Sequence, residues 1–310
     1  MSINYTPENT FIFSFVRMNP PTPGHLSLIK TMIDKAIELN VNRVFILTSS
    51  SLDGKNPLPC SSDAIPKPKN KSDAAILESM LENSIYKSNV LDKMIESYKQ
   101  QLISSEPDED NKTKIANMQV IVICSTGNSF IFIHSIIKRF FVEKGIPKIN
   151  MFFIVGRDRA DFLDNIVDNF SERDYINSIN GLVLPREGMG ALKSTGMGTR
   201  SISDINPSEY SASFVRNLVK NGQKEDFAQV YSQYLSPDDV EQLYETIRSG
   251  TQMKSPSSKD EDENPQSRYF DRGLLPIMGP SSGGKKRRRN TRKQRKIKRR
   301  RARRHTRRYK

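Results

Sequence analysis

The chain has 310 residues, enough for one or two domains, and its 35% hydrophobic and 27% charged composition suits a globular protein with an additional charged segment. Residues 285–310 hold 18 Lys or Arg and no Asp or Glu, so the rest of the chain has 31 basic against 35 acidic residues, and the net charge of +14 comes from this one end. No apolar run approaches the roughly 18 residues of a membrane span, and the first residues show no signal-peptide pattern, so we expect a soluble, intracellular protein.

The cysteine content points to the same kind of compartment. Cys60 and Cys124 are too few for a disulfide framework and lack the spacing of a zinc site. We expect a loop thiol and a buried strand residue, both reduced. Disulfides are rare in reducing compartments, so this expectation favours the cell interior.

The N-terminal part has the pattern of a strand, a helix and a second strand. Short aromatic and β-branched runs at 10–16 (TFIFSFV) and 44–48 (VFILT) predict buried strands. Between them, apolar residues recur at helical spacing from Leu26 to Leu39. A βαβ unit of this length predicts parallel strands joined by a right-handed crossover.

The alternation of strands and helices continues through the middle of the chain. Strands are predicted at 118–124, 151–155 and 182–184, a pair of helices over 73–103 and a single helix over 130–142. The pattern therefore predicts an α/β fold, a doubly wound parallel sheet of five strands covered on both faces. The connections are predicted to be a long loop over 49–70 and an exposed acidic segment over 104–113.

The C-terminal third is predicted to begin with a mobile Gly- and Ser-rich loop over 186–207, followed by helix over 208–221 and two short helices over 225–249. These elements close a domain that spans 1–250. The rest is predicted to be a flexible linker over 251–284 and a disordered polybasic tail over 285–310.

The turn after the first strand carries the first candidate site. It reads R-M-N-P-P-T-P-G-H from Arg17 to His25, so a cation, an amide, a hydroxyl and an imidazole stand where a strand gives way to a helix. A helix start offers free backbone N–H groups and the positive end of the helix dipole. The turn is therefore predicted to bind an anion.

A second candidate site lies near the start of a later helix, in S-A-S-F-V-R at 211–216. Either Ser211 or Ser213 is suited to cap the helix. The other hydroxyl, the first amides and Arg216 then face one small volume. Because a guanidinium can bind two oxygens while amides bind a third, this arrangement is suited to a polyphosphate.

Together these stretches resemble a known family. T-P-G-H at 22–25 is similar to the (H/T)-x-G-H motif, and 211–216 to the S-(S/A)-T-x-x-R motif, of the HIGH-motif nucleotidyltransferase superfamily, which is related to the catalytic core of class I aminoacyl-tRNA synthetases. The nonamer from Arg17 to His25 resembles R-F-Q-P-F-H-x-G-H of archaeal-type nicotinamide mononucleotide adenylyltransferases and related phage enzymes. Gly156-Arg157-Asp158 resembles the family's V-G-x-D element. The resemblance covers roughly residues 10–250 and implies a Rossmann-like, HUP-type fold.

The family joins the α-phosphate of ATP or CTP to a phosphate on a second substrate and releases pyrophosphate, usually with Mg²⁺ carried by the nucleotide. By resemblance, His25 would bond the α-phosphate as it becomes five-coordinate. Thr22 would contact the same phosphate or the nucleophile, and Arg17 and Arg216 would hold the β- and γ-phosphates. No base is required, because the attacking phosphate is already ionised. Further nucleotide-binding positions implied by the motifs are Asn19, Gly24, Gly156, Asp158, Ser211 and Ser213, and no protein metal ligand is expected.

Some positions depart from the family or carry open alternatives. Ser213 replaces the usual Thr, Thr22 replaces the first His, and Arg157 occupies the variable position, where it binds a second phosphate or only caps the strand end. The acceptor is open: nicotinamide mononucleotide is favoured by the nonamer, and an alcohol phosphate with CTP or a pantetheine phosphate is the alternative. His134 is expected to be a core or interface residue. Lys193 and Arg200 are expected either to close over phosphates or to be solvated.

The polybasic tail supports a hypothesis of a different class. A polycation that cannot bury a core binds nucleic acid without sequence preference by counterion release, and its composition also fits a nuclear import signal. The alternatives are a nucleic-acid-binding protein built on an inactive fold, or a tail that serves only solubility or packaging. Basic ends of this kind also resemble those of large DNA virus proteins, which extends the expected locations from cytoplasm or nucleus to a virion or viral factory.

Overall fold

The computed structural model describes residues 5–68, 71–82, 84–125, 128–157, 160–185 and 202–253. Within them five strands form one all-parallel sheet. The sheet and its helices confirm the predicted α/β class. The strands are β1 (Thr10–Val16), β2 (Arg43–Ser49), β3 (Gln119–Ser125), β4 (Ile149–Gly156) and β5 (Ile176–Leu184).

The strand order is β3-β2-β1-β4-β5, so the chain builds the sheet outward from β1 in one direction and then in the other. The reversal falls between β1 and β4, which pair from Thr10↔Asn150 to Phe13↔Phe153. Where the order of a parallel sheet reverses, the connections leave in opposite directions and open a crevice at the carboxyl ends of the strands. Any ligand site is therefore expected above the ends of β1 and β4.

Helices cover both faces of the sheet. Alternate residues of β1 point to opposite sides: Phe11, Phe13 and Phe15 join one buried cluster, and Ile12 joins the other. The described helices are α1 (Pro23–Glu38), α2 (Lys71–Leu81), α3 (Lys87–Ser105), α4 (Glu109–Ala116), α5 (Ser129–Phe140), α6 (Asp161–Phe170), α7 (Ala212–Lys220), α8 (Lys224–Tyr231) and α9 (Pro237–Gly250).

The prediction that the acidic segment over 104–113 is an exposed connection is partly wrong, because residues from Glu109 onward form α4. Asp108 caps this helix by accepting the backbone N–H of Asn111 at 2.9 Å. Glu109 and Asp110 then occupy the first turn, where negative charge interacts favourably with the helix dipole, and Ile115 is buried. The acidic composition that suggested a solvated loop is thus the N-terminal charge pattern of a short helix.

Several predicted boundaries also shift. The fifth strand is nine residues long rather than three, and it begins at Ile176. Helix α1 begins at Pro23 instead of Leu26, since Pro is well suited to the first helical position after a cap. Helix α7 begins at Ala212, preceded by a short 3₁₀ turn at Pro207–Glu209.

The expectation of two free thiols is wrong. Cys60 and Cys124 form a disulfide, which links the loop after β2 to the carboxyl end of β3. The partner of Cys124 across the sheet is Thr48, near the end of β2, so a loop that folds back over this edge reaches it directly. The long loop over 49–70 is therefore covalently anchored.

Some expectations fall outside the described residues. These are most of the predicted mobile loop over 186–207, nearly all of the linker over 251–284 and the whole polybasic tail over 285–310.

Candidate functional site

A cavity of about 410 Å³ opens at the carboxyl ends of β1 and β4, where the strand order reverses. Its walls come from the turn after β1, the first turns of α1 and α7, the end of β4 and the loop after β2. Both motifs singled out in the sequence therefore face one volume. The predicted site residues that line it are Arg17, Asn19, Thr22, Gly24, His25, Gly156, Ser211, Ser213 and Arg216, whereas Asp158 lies outside the described residues.

Two helix N-termini meet at this cavity. Thr22 is the N-cap of α1 and Ser211 the N-cap of α7, where the Ser211 hydroxyl accepts the backbone N–H of Phe214 at 3.1 Å. Each helix start carries roughly half a positive charge from the helix dipole. Two such ends at one cavity favour an anionic ligand.

Hydrogen bonds hold the turn of the first motif against the residue that precedes the second motif and against α8. The Thr22 hydroxyl donates to the Tyr210 carbonyl at 2.7 Å across 188 residues of sequence. The Tyr231 hydroxyl donates to the Pro21 carbonyl at 2.6 Å. The Thr22 side chain thus holds the start of α1 against the start of α7, and Tyr231 of α8 holds the turn before α1.

The Thr22 hydroxyl is occupied by partners within the protein. It is 1% exposed, and its hydroxyl already donates to Tyr210 while lying 2.9 Å from His25 Nδ1. A hydroxyl has one proton to donate. The geometry therefore favours a joining role for Thr22 over donation to a phosphate.

Replacing Thr22 with Val is expected to reduce the free energy of unfolding by about 1–2 kcal/mol, because the buried Tyr210 carbonyl loses its donor while the shape is kept. Urea unfolding measures the change. Thr31→Val is the matched control on the same helix, since that hydroxyl bonds only to the Ser27 carbonyl one turn back, and its effect is expected to stay within about 0.5 kcal/mol. Equal losses in the two variants would contradict the assignment.

The orientation of His25 follows from its backbone partner. The Thr22 backbone N–H donates to His25 Nδ1 at 2.9 Å, so this nitrogen is an acceptor. The neutral ring then carries its proton on Nε2. His25 is half-buried and lines the cavity, and this tautomer equips it to donate a hydrogen bond to a ligand oxygen.

Arg216 connects the second motif to the first. One of its nitrogens, Nη1, donates to the Asn19 carbonyl at 2.5 Å, and Nη2 donates to the Ser213 hydroxyl at 3.1 Å. Burial lowers the pKa of Arg216, Asp53 acts in the opposite direction, and the charge of Arg17 lowers it further. Two guanidinium groups that repel each other across a partly desolvated cavity would both be stabilised by an anion between them.

Asn19 lines the cavity, and its carboxamide has partners within the protein. Its Nδ2 donates to the Leu58 carbonyl and its Oδ1 accepts the Leu58 backbone N–H, both at 2.9 Å. The side chain therefore fixes the loop after β2, and the nucleotide contact that the resemblance implies for Asn19 stays a prediction. The backbone carbonyl of Asn19 accepts from Arg216 and so connects this part of the chain to α7.

The loop after β2 contributes residues that the sequence did not single out. Asp53 Oδ1 accepts the backbone N–H groups of Lys55 and Asn56 at 2.7 and 2.9 Å, which closes a tight turn. Lys55 and Asn56 line the cavity, so a further cation stands at its rim. Only the Asp-x-x-Asn spacing of the turn was available as a signal in the sequence.

Lys87 is a second residue that sequence reasoning missed. The first residue of α3, it is 1% exposed, and its Nζ donates to the carbonyls of Ser49 and Arg17 at 2.5 and 3.0 Å and to Thr48 Oγ1 at 3.3 Å. Burial, with a contribution from Arg17, lowers the pKa of Lys87 to about 7. A buried amine thus lies directly beneath the turn that carries Arg17.

This lowered pKa predicts a pH dependence of stability. Between pH 7 and the ordinary lysine value of 10.5 the unfolded chain holds this proton more strongly than the folded protein, so the free energy of unfolding should rise with pH, by at most about 1.4 kcal/mol per unit. Below pH 7 both states bind the proton and the penalty of burying the charge is constant. Urea titrations of the wild type and Lys87→Met at pH 6.5, 7.5 and 8.5 measure it. Parallel profiles would contradict the lowered pKa.

The remaining candidates lie away from the cavity or outside the described residues. His134 is exposed on α5, where its Nδ1 lies 2.7 Å from the Tyr175 hydroxyl, so the expectation of a core residue is wrong. Arg157 is exposed and is not among the residues that line the cavity. Lys193 and Arg200 belong to the part of the chain that is not described.

Within the described ranges, no group of three or more His, Cys, Asp or Glu is arranged to hold a metal ion, and no helix is long and apolar enough to cross a membrane. The described residues that line the cavity include no carboxylate.

No family model, curated protein or solved structure matches the chain.

Proposed function

We propose that the protein is a nucleotidyltransferase that transfers a nucleoside monophosphate from ATP or CTP to a small phosphorylated acceptor and releases pyrophosphate. The observation that carries this proposal is the convergence of the two motifs on one cavity, joined by the bonds from Thr22 to Tyr210 and from Arg216 to Asn19. Its volume lies within the range of small-molecule sites. The strand order with a site at the reversal is also what a Rossmann-like, HUP-type fold requires.

In this proposal the chain binds and orients the reacting groups. Arg17 and Arg216 hold the β- and γ-phosphates, and the amides at the starts of α1 and α7 take further oxygens. His25 donates from Nε2 to a non-bridging oxygen of the α-phosphate, where negative charge increases in the transition state. An ionised oxygen of the acceptor forms a bond to the α-phosphorus as the bond to the pyrophosphate oxygen breaks, and pyrophosphate leaves with both electrons.

Mg²⁺ carried by the nucleotide would neutralise charge on the β- and γ-phosphates. The described residues that line the cavity offer it hydroxyls and amides rather than carboxylates, so the protein's part is to bind the nucleotide's oxygens with cations.

Nicotinamide mononucleotide is the favoured acceptor, on the resemblance of the nonamer at 17–25, and its product with ATP is NAD. The alternatives are a CTP-dependent cytidylyltransferase acting on an alcohol phosphate and an adenylyltransferase acting on a pantetheine phosphate. All three place a phosphate nucleophile opposite the same leaving group. They differ in the acceptor and, for the cytidylyltransferase, also in the nucleotide.

Pyrophosphate release tests the proposal. The full chain is incubated with ATP or CTP, Mg²⁺ and each acceptor in turn, and one pair is expected to release pyrophosphate in proportion to product. Arg216→Lys keeps the charge but loses the two-pronged contact and is expected to weaken activity with that pair. If no pair of nucleotide and acceptor releases pyrophosphate, the proposed transferase activity is wrong.

A second candidate function rests on the composition of 285–310: non-specific binding of nucleic acid, on an active or an inactive fold. DNA binding is measured against salt for the full chain and for a chain that ends at residue 284. The affinity and its salt dependence are expected to fall sharply on deletion. Unchanged affinity would show that the tail is not the binding element.

A further inference from the structure

When it is protonated, Lys87 carries a buried positive charge for which the described residues offer no carboxylate partner within ion-pair distance. Its three N–H groups are matched by three oxygens, two carbonyls and one hydroxyl. These dipoles satisfy its hydrogen bonds but do not balance its charge. Burying an ammonium without a counter-charge is expensive.

Another lysine on the same helix shows the contrast. Lys99 is also largely buried, and its Nζ donates to the Ala116 carbonyl at 3.2 Å and lies 3.7 Å from Glu96 Oε2. Lys99 therefore has a carboxylate within reach, whereas the charged group that acts most strongly on Lys87 is another cation, Arg17. The charge of Lys87 adds to the positive potential under the cavity.

The main chain that Lys87 holds is irregular. Arg17 is followed by Met18, which has a φ of 42°, a left-handed conformation that is costly for a residue other than Gly. The Arg17 carbonyl accepts from both Lys87 Nζ and Thr48 Oγ1, each at 3.0 Å. Two side-chain donors thus fix the carbonyl next to the strained residue, in the turn that presents Arg17 and Asn19 to the cavity.

We propose that Lys87 is a positioning residue for an anionic ligand, whose ammonium holds the turn at 17–19 in its binding geometry and whose missing counter-charge is supplied by the ligand's phosphates. The identity of that ligand as a nucleotide rests on the proposed function. The role itself requires only a polyphosphate in the cavity. It explains why a side chain that can carry a positive charge, rather than one that is always neutral, occupies a buried site with no carboxylate among the described residues.

The test uses calorimetric binding of inorganic tripolyphosphate, ATP and adenosine to the full chain. Lys87→Met is expected to weaken tripolyphosphate and ATP binding by about tenfold or more while adenosine binding changes little, because the lost interaction is with charge. Lys99→Met, on the same helix and away from the cavity, is expected to stay within about twofold of the wild type for all three ligands. Lys87→Gln keeps two N–H donors for the carbonyls and serves as a second variant if Lys87→Met does not fold.

Three results would overturn the inference: wild-type affinity for tripolyphosphate in a folded Lys87 variant, equal losses for adenosine and tripolyphosphate, or no tripolyphosphate binding by the wild type. Its failure is distinguishable from that of the proposed function. Tripolyphosphate binding that depends on Lys87, without pyrophosphate release from any nucleotide, would support the inference and count against the transferase. Nucleotidyl transfer that is unaffected in Lys87→Met would support the transferase and count against the inference.

Discussion

Replacing His25 with Ala is expected to lower kcat for nucleotidyl transfer by about 100- to 1000-fold, the usual effect of removing one preorganised donor to transition-state charge. The contact of the Thr22 N–H with Nδ1 leaves the proton of the neutral ring on Nε2, so the donor is present before the nucleotide binds. Because the interaction strengthens as charge develops, KM should change much less than kcat. Pyrophosphate release at saturating nucleotide measures the change.

His134→Ala is the matched control for His25. His134 is exposed on α5 with Tyr175 as its partner and does not line the cavity, so its removal is expected to leave kcat within about twofold of the wild type. His25→Gln provides a side-chain amide donor and should recover part of the rate if donation is the role of the ring. A His25→Ala variant as active as the wild type would show that the assignment of this residue is wrong.

Removing the disulfide is expected to reduce the free energy of unfolding by about 4 kcal/mol, since the bond closes a loop across a sequence separation of 64 residues. The double variant Cys60→Ser, Cys124→Ser and the wild type treated with a dithiol reductant should lose similar amounts. Leu58, two residues before Cys60, holds the Asn19 side chain, so nucleotide affinity should fall as well. Urea unfolding and nucleotide binding are measured with and without reductant.

The double Ser variant is also the control for the reductant, which should have no effect on it. Counting thiols in the denatured, unreduced wild type tests the bond itself: no reactive thiol is expected. Two reactive thiols per chain, or unfolding curves that coincide with and without reductant, would contradict the covalent anchor.

Much of the fold was predictable from local pattern. The strands at 10–16 and 44–48 are short runs of aromatic and β-branched residues, and buried parallel strands leave such runs because both faces are covered. The strand-to-helix turn at 17–25 was predictable for a similar reason, since Pro and Gly after an apolar strand mark a helix start. The motif positions then met at one cavity because parallel strands end at the same edge of the sheet.

What sequence reasoning missed depends on contacts between distant segments. Lys87 has the pattern of an ordinary helix-start lysine, and its burial follows only from the way α3 packs beneath the ends of β1 and β2. The carboxamide of Asn19 pairs with Leu58, 39 residues away. The two cysteines gave no pairing signal, because two thiols 64 residues apart meet only after β2 and β3 pair.

The position at which the nucleotide is cleaved tests the central claim most directly. Phosphorus NMR of ATP or CTP with Mg²⁺, the full chain and the acceptor panel is expected to show pyrophosphate appearing together with a new diphosphate diester that joins the α-phosphate to the acceptor. Nucleoside diphosphate with orthophosphate or a γ-phosphorylated acceptor would contradict it, because the bond broken would then be the one to the γ-phosphate rather than the one to the α-phosphate, which we propose that His25 binds.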